Sequence, residues 1–325
     1  MIPTAPRAAT REEVPVLDLT PLAAGAPIAP LAKQLRQACE TIGFFYVTNH
    51  GVPQSVIDDI FAATKRYFDL PVEKRLEYML DDRFRRGFMP YGINQHPGYA
   101  ADLKESWEFA LDLPFDDPDV IAGRPLHGPN RWPPDMPWLR GAAEPYFDET
   151  LALGKRLLRV FAVSLGLAED YFLQYTKKPM VASRLFHYPP HPPAAREDEF
   201  GVAPHSDYGM ITLLTQDPNG GLELKKRDGE WIGAPFIEGT FVINLGDLFK
   251  VWTNDVYVSN LHRVVNRHGR ERYSIPTFFN LDYDALVSCI PTCQSATNPP
   301  KYAPILSGDY LVSRFRDVQK YKVPG

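Results

Sequence analysis

The chain has 325 residues, of which 44% are hydrophobic and 23% are charged. These fractions are typical of a soluble globular protein, and they exclude a disordered chain, a coiled coil and a collagen-like fibre. The 32 prolines are about twice the average usage and favour many turns over an all-helical bundle.

The net charge of −5 and the pI of about 5.9 point away from nucleic acid, whose binders usually carry a basic face. No stretch reaches the ~18 apolar residues of a membrane span. The three cysteines, Cys39, Cys289 and Cys293, are too few for a disulfide framework or a closed zinc site. We therefore expect a cytoplasmic monomer or small homo-oligomer that acts on a small molecule, with neither nucleic acid nor a membrane as partner.

The first part of the chain alternates helical and extended patterns. Residues 1–13 are predicted to form a loose tail, and residues 14–138 an N-terminal region of helices, short strands and substrate-side loops. Within that region, apolar residues at helical spacing predict helices at 31–42 and 54–68, with a strand at 44–47 between them.

The middle of the chain is less regular. Residues 81–138 are rich in Gly, Pro, Arg and aromatic residues and have no clear period, which favours loops and short strands around a functional site. Residues 139–180 are predicted to form scaffold helices, of which the longest spans roughly 142–166 and carries an apolar face.

After residue 180 the pattern becomes β-rich, and residues 181–284 are predicted to form the core. Turn signals separate short extended runs at 181–188, 210–215, 222–225, 230–233, 240–245, 257–265 and 272–280. Strands at such close intervals indicate a sandwich or a jelly-roll barrel, so the fold class is mainly β with flanking helices. Residues 285–325 are predicted to be a C-terminal extension with a helix that Ser307 could cap.

The most informative motif is His205-Ser206-Asp207. If it lies in a strand, His205 and Asp207 point to the same face and offer a nitrogen and an oxygen to one point. His262 is the candidate for a third ligand. Two histidines and one carboxylate form the facial triad of non-haem Fe(II) oxygenases. Taken alone, the motif is short enough to occur by chance, and a lone histidine is more often a surface or core residue.

A second pair of residues strengthens the metal hypothesis. Arg272 and Ser274 follow His262 in a β-like run and share a strand face. A guanidinium beside a hydroxyl can bind a carboxylate, which suits an anionic co-substrate next to a metal. The alternative is an exposed arginine beside a buried serine, a common strand pattern.

With these motifs in order, the sequence resembles the isopenicillin N synthase-like branch of the Fe(II)/2-oxoglutarate-dependent oxygenases. The N-terminal half contributes Gly-Phe-Phe-Tyr-Val-Thr-Asn-His-Gly-Val-Pro at 43–53. The other matching segments are 14–18, residue 68, 70–71, 205–217, 220–223, 244–247, 253–254, 259–264 and 272–274. The resemblance runs from about residue 14 to residue 320 and is specific for the family, although not for a substrate.

The resemblance implies a double-stranded β-helix (jelly-roll) core with iron bound by His205, Asp207 and His262. It also implies that the far carboxylate of 2-oxoglutarate is held by Arg272 and Ser274, with Tyr188 in contact with co-substrate or substrate. Iron, 2-oxoglutarate and O2 would then oxidise a C–H bond, most often by hydroxylation. No protein general base is required, so none is assigned.

Two rival functions remain open at this point. An oxidase of the same family would use no 2-oxoglutarate and would bind its substrate's own carboxylate at Arg272 and Ser274. A zinc site with the same three ligands could serve a hydrolase or a binding module. Stoichiometric succinate release would distinguish a 2-oxoglutarate-dependent oxygenase from the oxidase. Measurements of bound metal and of oxygen uptake would distinguish it from the zinc protein.

Substrate contacts are predicted in two places. Within the loop at 83–91, Arg85 or Arg86 could hold a substrate carboxylate while Phe88 and Tyr91 pack on its carbon skeleton. A solvated basic loop is the alternative.

Arg184 and Phe186 should share a strand face with Tyr188, which would place a buried arginine in the barrel. Such an arginine needs an anion, either a protein carboxylate or the substrate. Many plant relatives carry Asn at the position of Phe186, which suggests a more apolar pocket wall here. The other histidines are expected to be structural: His50, His96, His127, His187, His191 and His268.

Overall fold

The computed structural model describes residues 5–96, 98–190, 198–267 and 269–318. His191 and His268 lie outside these ranges. The strands are β1 (Val16–Asp18), β2 (Phe44–Thr48), β3 (Gly87–Met89), β4 (Glu105–Ala110), β5 (Ala182–Tyr188), β6 (Val202–His205), β7 (Ile211–Gln216), β8 (Leu222–Lys225), β9 (Trp231–Gly233), β10 (Phe241–Leu245), β11 (His262–Val264), β12 (Arg272–Phe279), β13 (Leu286–Val287) and β14 (Ile305–Leu306). The helices are α1 (Thr20–Ala23), α2 (Ala29–Thr41), α3 (Gln54–Phe68), α4 (Val72–Leu76), α5 (Pro118–Ile121), α6 (Pro137–Ser164), α7 (Asp247–Trp252) and α8 (Ser307–Val318).

Two facing sheets form the jelly roll that the sequence predicts. The major sheet has eight strands in the order β1-β2-β10-β7-β12-β5-β4-β3, and the minor sheet has the order β6-β11-β8-β9. Between them lies a layer of apolar side chains that includes Phe44, Tyr188, Leu224 and Val264. Strand alternation therefore divides each major-sheet strand into a barrel-facing row and an outward-facing row.

The outward face of the major sheet is covered by helices. α6 packs against α2 and α3 and contacts β12. Its apolar side includes Leu153, Leu157 and Phe161, all fully buried in the largest core cluster. α6 begins five residues before the predicted start because Pro137 occupies the first helical turn, where a missing N–H costs nothing.

Several local predictions differ from the structure. Strand β4 was not located within the segment predicted to hold loops and short strands, because its residues are buried on both faces and include charged as well as apolar side chains. Of the run predicted at 257–265, only the three residues of β11 form a strand. Asp207 lies two residues beyond the end of β6.

The N-terminal segment contacts the minor sheet. Ala8 forms a bridge with Gly233 of β9, and Arg7 pairs with Glu13 and Glu230. In the described ranges, no helix is both long and apolar enough to cross a bilayer.

Candidate active site

Three side chains converge at the open end of the minor sheet. The potential ligand atoms of His205, Asp207 and His262 all lie within 4.8 Å of one another. Asp207 Oδ1 is 3.7 Å from His205 Nε2 and 3.8 Å from His262 Nε2. β6 and β11 pair with His205 directly opposite His262, which explains how residues far apart in sequence meet.

Backbone carbonyls orient the two imidazole rings. His205 Nδ1 lies 2.9 Å from the Ala203 carbonyl, and His262 Nδ1 lies 3.3 Å from the Asn260 carbonyl. A proton on each Nδ1 leaves Nε2 with its lone pair toward the common point. Burial lowers the pKa of His205 well below its ordinary value, and His262 adds to this effect, so the ring is neutral at physiological pH.

Asp207 divides its two oxygens between the protein and the common point. Oδ2 accepts hydrogen bonds from Thr212 Oγ1 at 2.5 Å and from Asn244 Nδ2 at 2.6 Å. Oδ1 is the oxygen that faces the two histidines. Two imidazole nitrogens and one carboxylate oxygen on one side fit a divalent transition metal with open positions, the arrangement of non-haem Fe(II) sites.

Next to the triad, Arg272 is 1% exposed at the start of β12. Its Nε–H donates to the Gly220 carbonyl, and its terminal nitrogens donate to Ser274 Oγ at 3.1 Å and to Gln216 Oε1 at 3.3 Å. Its guanidinium carbon lies 4.6 Å from the centre of the Tyr188 ring. In the described part of the chain it forms no ion pair with a carboxylate, so the buried charge is suited to an anionic ligand.

The triad and Arg272 line one cavity of about 180 Å³ between the sheets. Of the residues predicted to contact substrate, Arg85, Arg86, Arg184 and Phe186 line it. Arg86 is held by the carbonyls of Phe84 and of residues 85, 111 and 126, and burial lowers its pKa to about 10. This bonding indicates that Arg86 supports the loop.

Phe88 and Tyr91 do not line the cavity, contrary to the prediction. Phe88 is fully buried in the core beside Tyr67, because strand alternation in β3 turns it toward the helices. Tyr91 lies beyond the end of β3 and is 43% exposed.

Several lining residues were not anticipated from the sequence. Glu108 and Lys104 come from β4 and the residue before it, and Leu311 and Phe315 come from α8. For Glu108, period-two alternation along 105–110 was the signal that could have placed it opposite the buried Trp107. His96 and His127, which were expected to be structural, line the cavity, and the His96 ring lies 4.9 Å from that of His205.

Two family models match the sequence. Residues 14–135 match the N-terminal region of non-haem dioxygenases in morphine synthesis, and residues 179–281 match the 2OG-Fe(II) oxygenase superfamily. The second match contains all three residues of the triad together with Arg272 and Ser274.

Curated relatives and solved structures agree with these matches. The 2-oxoglutarate-Fe(II) type oxidoreductase hxnY of Emericella nidulans is 37% identical over 97% of this chain and 91% of its own length. The 2-oxoglutarate-dependent dioxygenase caaD of Aspergillus niger is 38% identical over 85% of this chain and 87% of its own. The crystal structure of a full-length Neurospora crassa protein in complex with alpha-KG and thymine is 30% identical, with a TM-score of 0.85 over 96% of this chain and 100% of that one.

Proposed function

Because this chain belongs to the Fe(II)- and 2-oxoglutarate-dependent oxygenases, we propose that it hydroxylates an unactivated C–H bond of a small organic molecule. The reaction would consume O2 and 2-oxoglutarate and release the alcohol, succinate and CO2. The observation that carries the proposal is the convergence of two imidazoles and one carboxylate oxygen within 4.8 Å, beside a buried arginine. A structural neighbour that holds alpha-KG together with thymine supports a small-molecule substrate.

The metal ligands in this proposal are His205, Asp207 and His262. Iron bound there would supply the activation of dioxygen. The chain's own contribution is to hold both imidazoles with Nε2 toward the common point and to fix the orientation of Asp207 through its bonds to Thr212 and Asn244.

The co-substrate site in this proposal consists of Arg272, Ser274 and Tyr188. The far carboxylate of 2-oxoglutarate would accept from the Arg272 guanidinium and from the Ser274 hydroxyl, which lie side by side on β12. The Tyr188 hydroxyl lies 3.5 Å from Ser274 Oγ and would border the same carboxylate.

The oxidase alternative is not favoured, because the curated relatives are named for their use of 2-oxoglutarate. A cytoplasmic location, a monomeric or small homo-oligomeric state and the lack of nucleic-acid or membrane partners remain predictions from the sequence.

The test is an anaerobic titration of the Fe(II)-loaded protein with 2-oxoglutarate. We expect the visible charge-transfer band of an iron-chelated 2-oxo acid, and stoichiometric succinate when O2 and a substrate are added. Replacing Arg272 with Gln removes a charge-assisted interaction worth about 2 kcal/mol and should raise the 2-oxoglutarate concentration needed for half-saturation about thirtyfold.

Arg156 provides the matched control, since it is a half-buried arginine whose guanidinium bonds the His50 carbonyl outside the cavity. Arg156→Gln should leave the titration unchanged. An Arg272→Gln protein with wild-type 2-oxoglutarate affinity would contradict the proposed clamp, and iron binding without any band would contradict the use of 2-oxoglutarate.

A further inference from the structure

A second charged group lies in the cavity apart from the proposed 2-oxoglutarate clamp. Glu108 on β4 and Arg184 on β5 are directly opposite each other in the antiparallel pair, and both line the cavity. Glu108 Oε2 is 2.9 Å from Arg184 Nε and 3.6 Å from Arg85 Nη2. The side chains are 4% and 15% exposed for Glu108 and Arg184, so the pair is almost fully withdrawn from solvent.

The pair has hydrogen-bonding capacity left over. Arg184 Nε and Glu108 Oε2 are buried without a hydrogen bond of good geometry, although their charges are in contact. Both arginine contacts are made to Oε2, so Oε1 accepts no hydrogen bond from the described residues. The two terminal nitrogens of Arg184 likewise donate none within the described part of the chain. Unused donors and an unused acceptor in a cavity wall are available to water or to a ligand that can satisfy both.

The position of the pair separates it from the proposed co-substrate. Tyr188 on β5 pairs with Arg272 of the proposed clamp. Arg184 faces the barrel four residues before Tyr188, which places the two residues about 13 Å apart along the strand. The Arg184 guanidinium carbon lies 5.0 Å from the centre of the Phe278 ring. Phe278 in turn pairs with Thr212, which bonds Asp207. The pair is therefore next to the metal-ligand carboxylate and away from the 2-oxoglutarate clamp, where a substrate would approach the iron.

The charge of the pair restricts the ligand. Burial raises the pKa of Glu108, but Arg184 and Arg85 outweigh burial and hold the pKa below its ordinary value, so the carboxylate is ionised. A ligand carboxylate at this position would be repelled by Glu108, and a ligand ammonium by Arg184. A neutral group that accepts from the guanidinium and donates to the carboxylate satisfies both.

We propose that Arg184 and Glu108 recognise a neutral substrate through a carbonyl and an adjacent N–H, as in the edge of a cyclic amide or imide. Apolar side chains that line the same cavity, among them Met180 and Phe278, suit the carbon skeleton of such a ring. This inference rests on the proposed function, because it assumes that the substrate binds beside the iron in this cavity.

The test compares cyclic amides with their N-methylated counterparts. The holoprotein, loaded with Fe(II) and 2-oxoglutarate and kept anaerobic, is titrated calorimetrically with uracil, 2-pyridone and glutarimide, each beside its N-methyl form. Benzoate serves as an anionic probe. We expect at least one unmethylated amide to bind ten times more tightly than its N-methyl form, since methylation removes the N–H that Glu108 would accept.

Two variants test the pair itself. The double variant Arg184→Met/Glu108→Leu replaces the ion pair with apolar side chains of similar length, a change that buried pairs often tolerate. It should lose the preference for the unmethylated amide and keep the 2-oxoglutarate band. Glu108→Gln leaves the arginine charge uncompensated and should shift the benzoate-to-amide affinity ratio at least tenfold toward benzoate.

Three outcomes would overturn the inference. They are equal affinity for every amide and its N-methyl form, tighter binding of benzoate than of any amide to the wild-type protein, and an unchanged preference in the folded double variant. Absence of the 2-oxoglutarate band in the wild-type protein would instead contradict the proposed function. Because the band and the calorimetry are separate readouts, failure of one proposal is distinguishable from failure of the other.

Discussion

Asp207 connects the two histidines of the triad with two polar side chains of the major sheet. Its Oδ1 faces His205 and His262, while its Oδ2 is held by Thr212 and Asn244. A ligand carboxylate that is bonded on its second oxygen cannot rotate, so the entropy of fixing it is lost on folding and not on metal binding. The two donors should therefore contribute to metal affinity without touching the metal.

We predict that Thr212→Val and Asn244→Ala each weaken metal binding about tenfold to a hundredfold, the usual effect of removing a partner of a ligand. The measurement is a calorimetric titration of the apoprotein with Mn(II), which avoids oxidation. Thr212→Ser retains the hydroxyl and is the matched control, with affinity close to wild type. Wild-type affinity in both Thr212→Val and Asn244→Ala would show that the hydrogen bonds do not hold Asp207 for the metal.

At this scale the sequence was sufficient to select the three residues that the structure brings together as a possible metal site, but it was insufficient to find the charged pair elsewhere in the cavity. His205, Asp207 and Arg272 stand in short motifs whose spacing has a direct chemical meaning. Glu108 stands in no motif, and its partner Arg184 is 76 residues away in the chain. The sequence predicted that a buried arginine needs an anion, but only the strand register shows which carboxylate supplies it.

Strand β4 is the element that joins the cavity to the outer helices. On its barrel side it carries Glu108, and on its outer side Glu105 bonds His187 Nδ1 at 2.7 Å and pairs with Arg75 of α4. His187 also contacts Glu271 through its other nitrogen. The prediction that His187 points to the face opposite Tyr188 agrees with the structure. In addition, His187 belongs to a buried network of charged side chains.

Glu105 gives this network a defined dependence on pH. Burial raises the pKa of Glu105, but the hydrogen bond from His187 and the charge of Arg75 outweigh burial and hold the pKa below its ordinary value of 4.5. A carboxylate whose pKa is lowered by folding stabilises the folded state at every pH above the pKa that it has in the unfolded chain. That stabilisation is lost as the pH falls below about 4.5, because the unfolded chain takes up the proton first.

We predict that Glu105→Gln lowers the free energy of unfolding by about 3 kcal/mol at pH 7, since it leaves buried charges without their partner. The difference from wild type should narrow below pH 4.5. Urea unfolding at several pH values measures both effects, with Glu73→Gln on the exposed side of α4 as the control, within ~0.5 kcal/mol of wild type. A constant difference across this pH range would mean that the Glu105 charge does not act in the folded protein.

Elements were easier to predict than their order. The alternation along Ala182–Tyr188 and Arg272–Phe279 predicted strands and the faces of Arg184, Tyr188 and Ser274. Strand β4 lies where only loops and unplaced short strands were predicted, because the charged residues Glu105 and Glu108 occur in a segment that is buried on both faces. Its pairing with β5 is a long-range contact that no local pattern encodes, and it is this pairing that brings residues 87–110 to the cavity.

Across the whole molecule, the triad links the two sheets. His205 and His262 belong to the minor sheet, whereas Asp207 is bonded to Thr212 on β7 and Asn244 on β10 of the major sheet. A metal bound by all three therefore connects the sheets at the open end of the barrel. Since the unfolded chain does not bring these ligands together, metal binding should stabilise the folded state.

We predict that Mn(II) at one hundred times its dissociation constant raises the free energy of unfolding by about 2.7 kcal/mol, and that chelation reverses the effect. Urea unfolding with and without the metal is the measurement. His262→Ala removes one ligand and should abolish the increment at the same metal concentration. His50→Ala, which removes a buried histidine outside the cavity, should change the stability but keep the increment. If the increment persists in His262→Ala, the stabilising metal binds elsewhere. Metal binding at the triad would then not be what connects the two sheets.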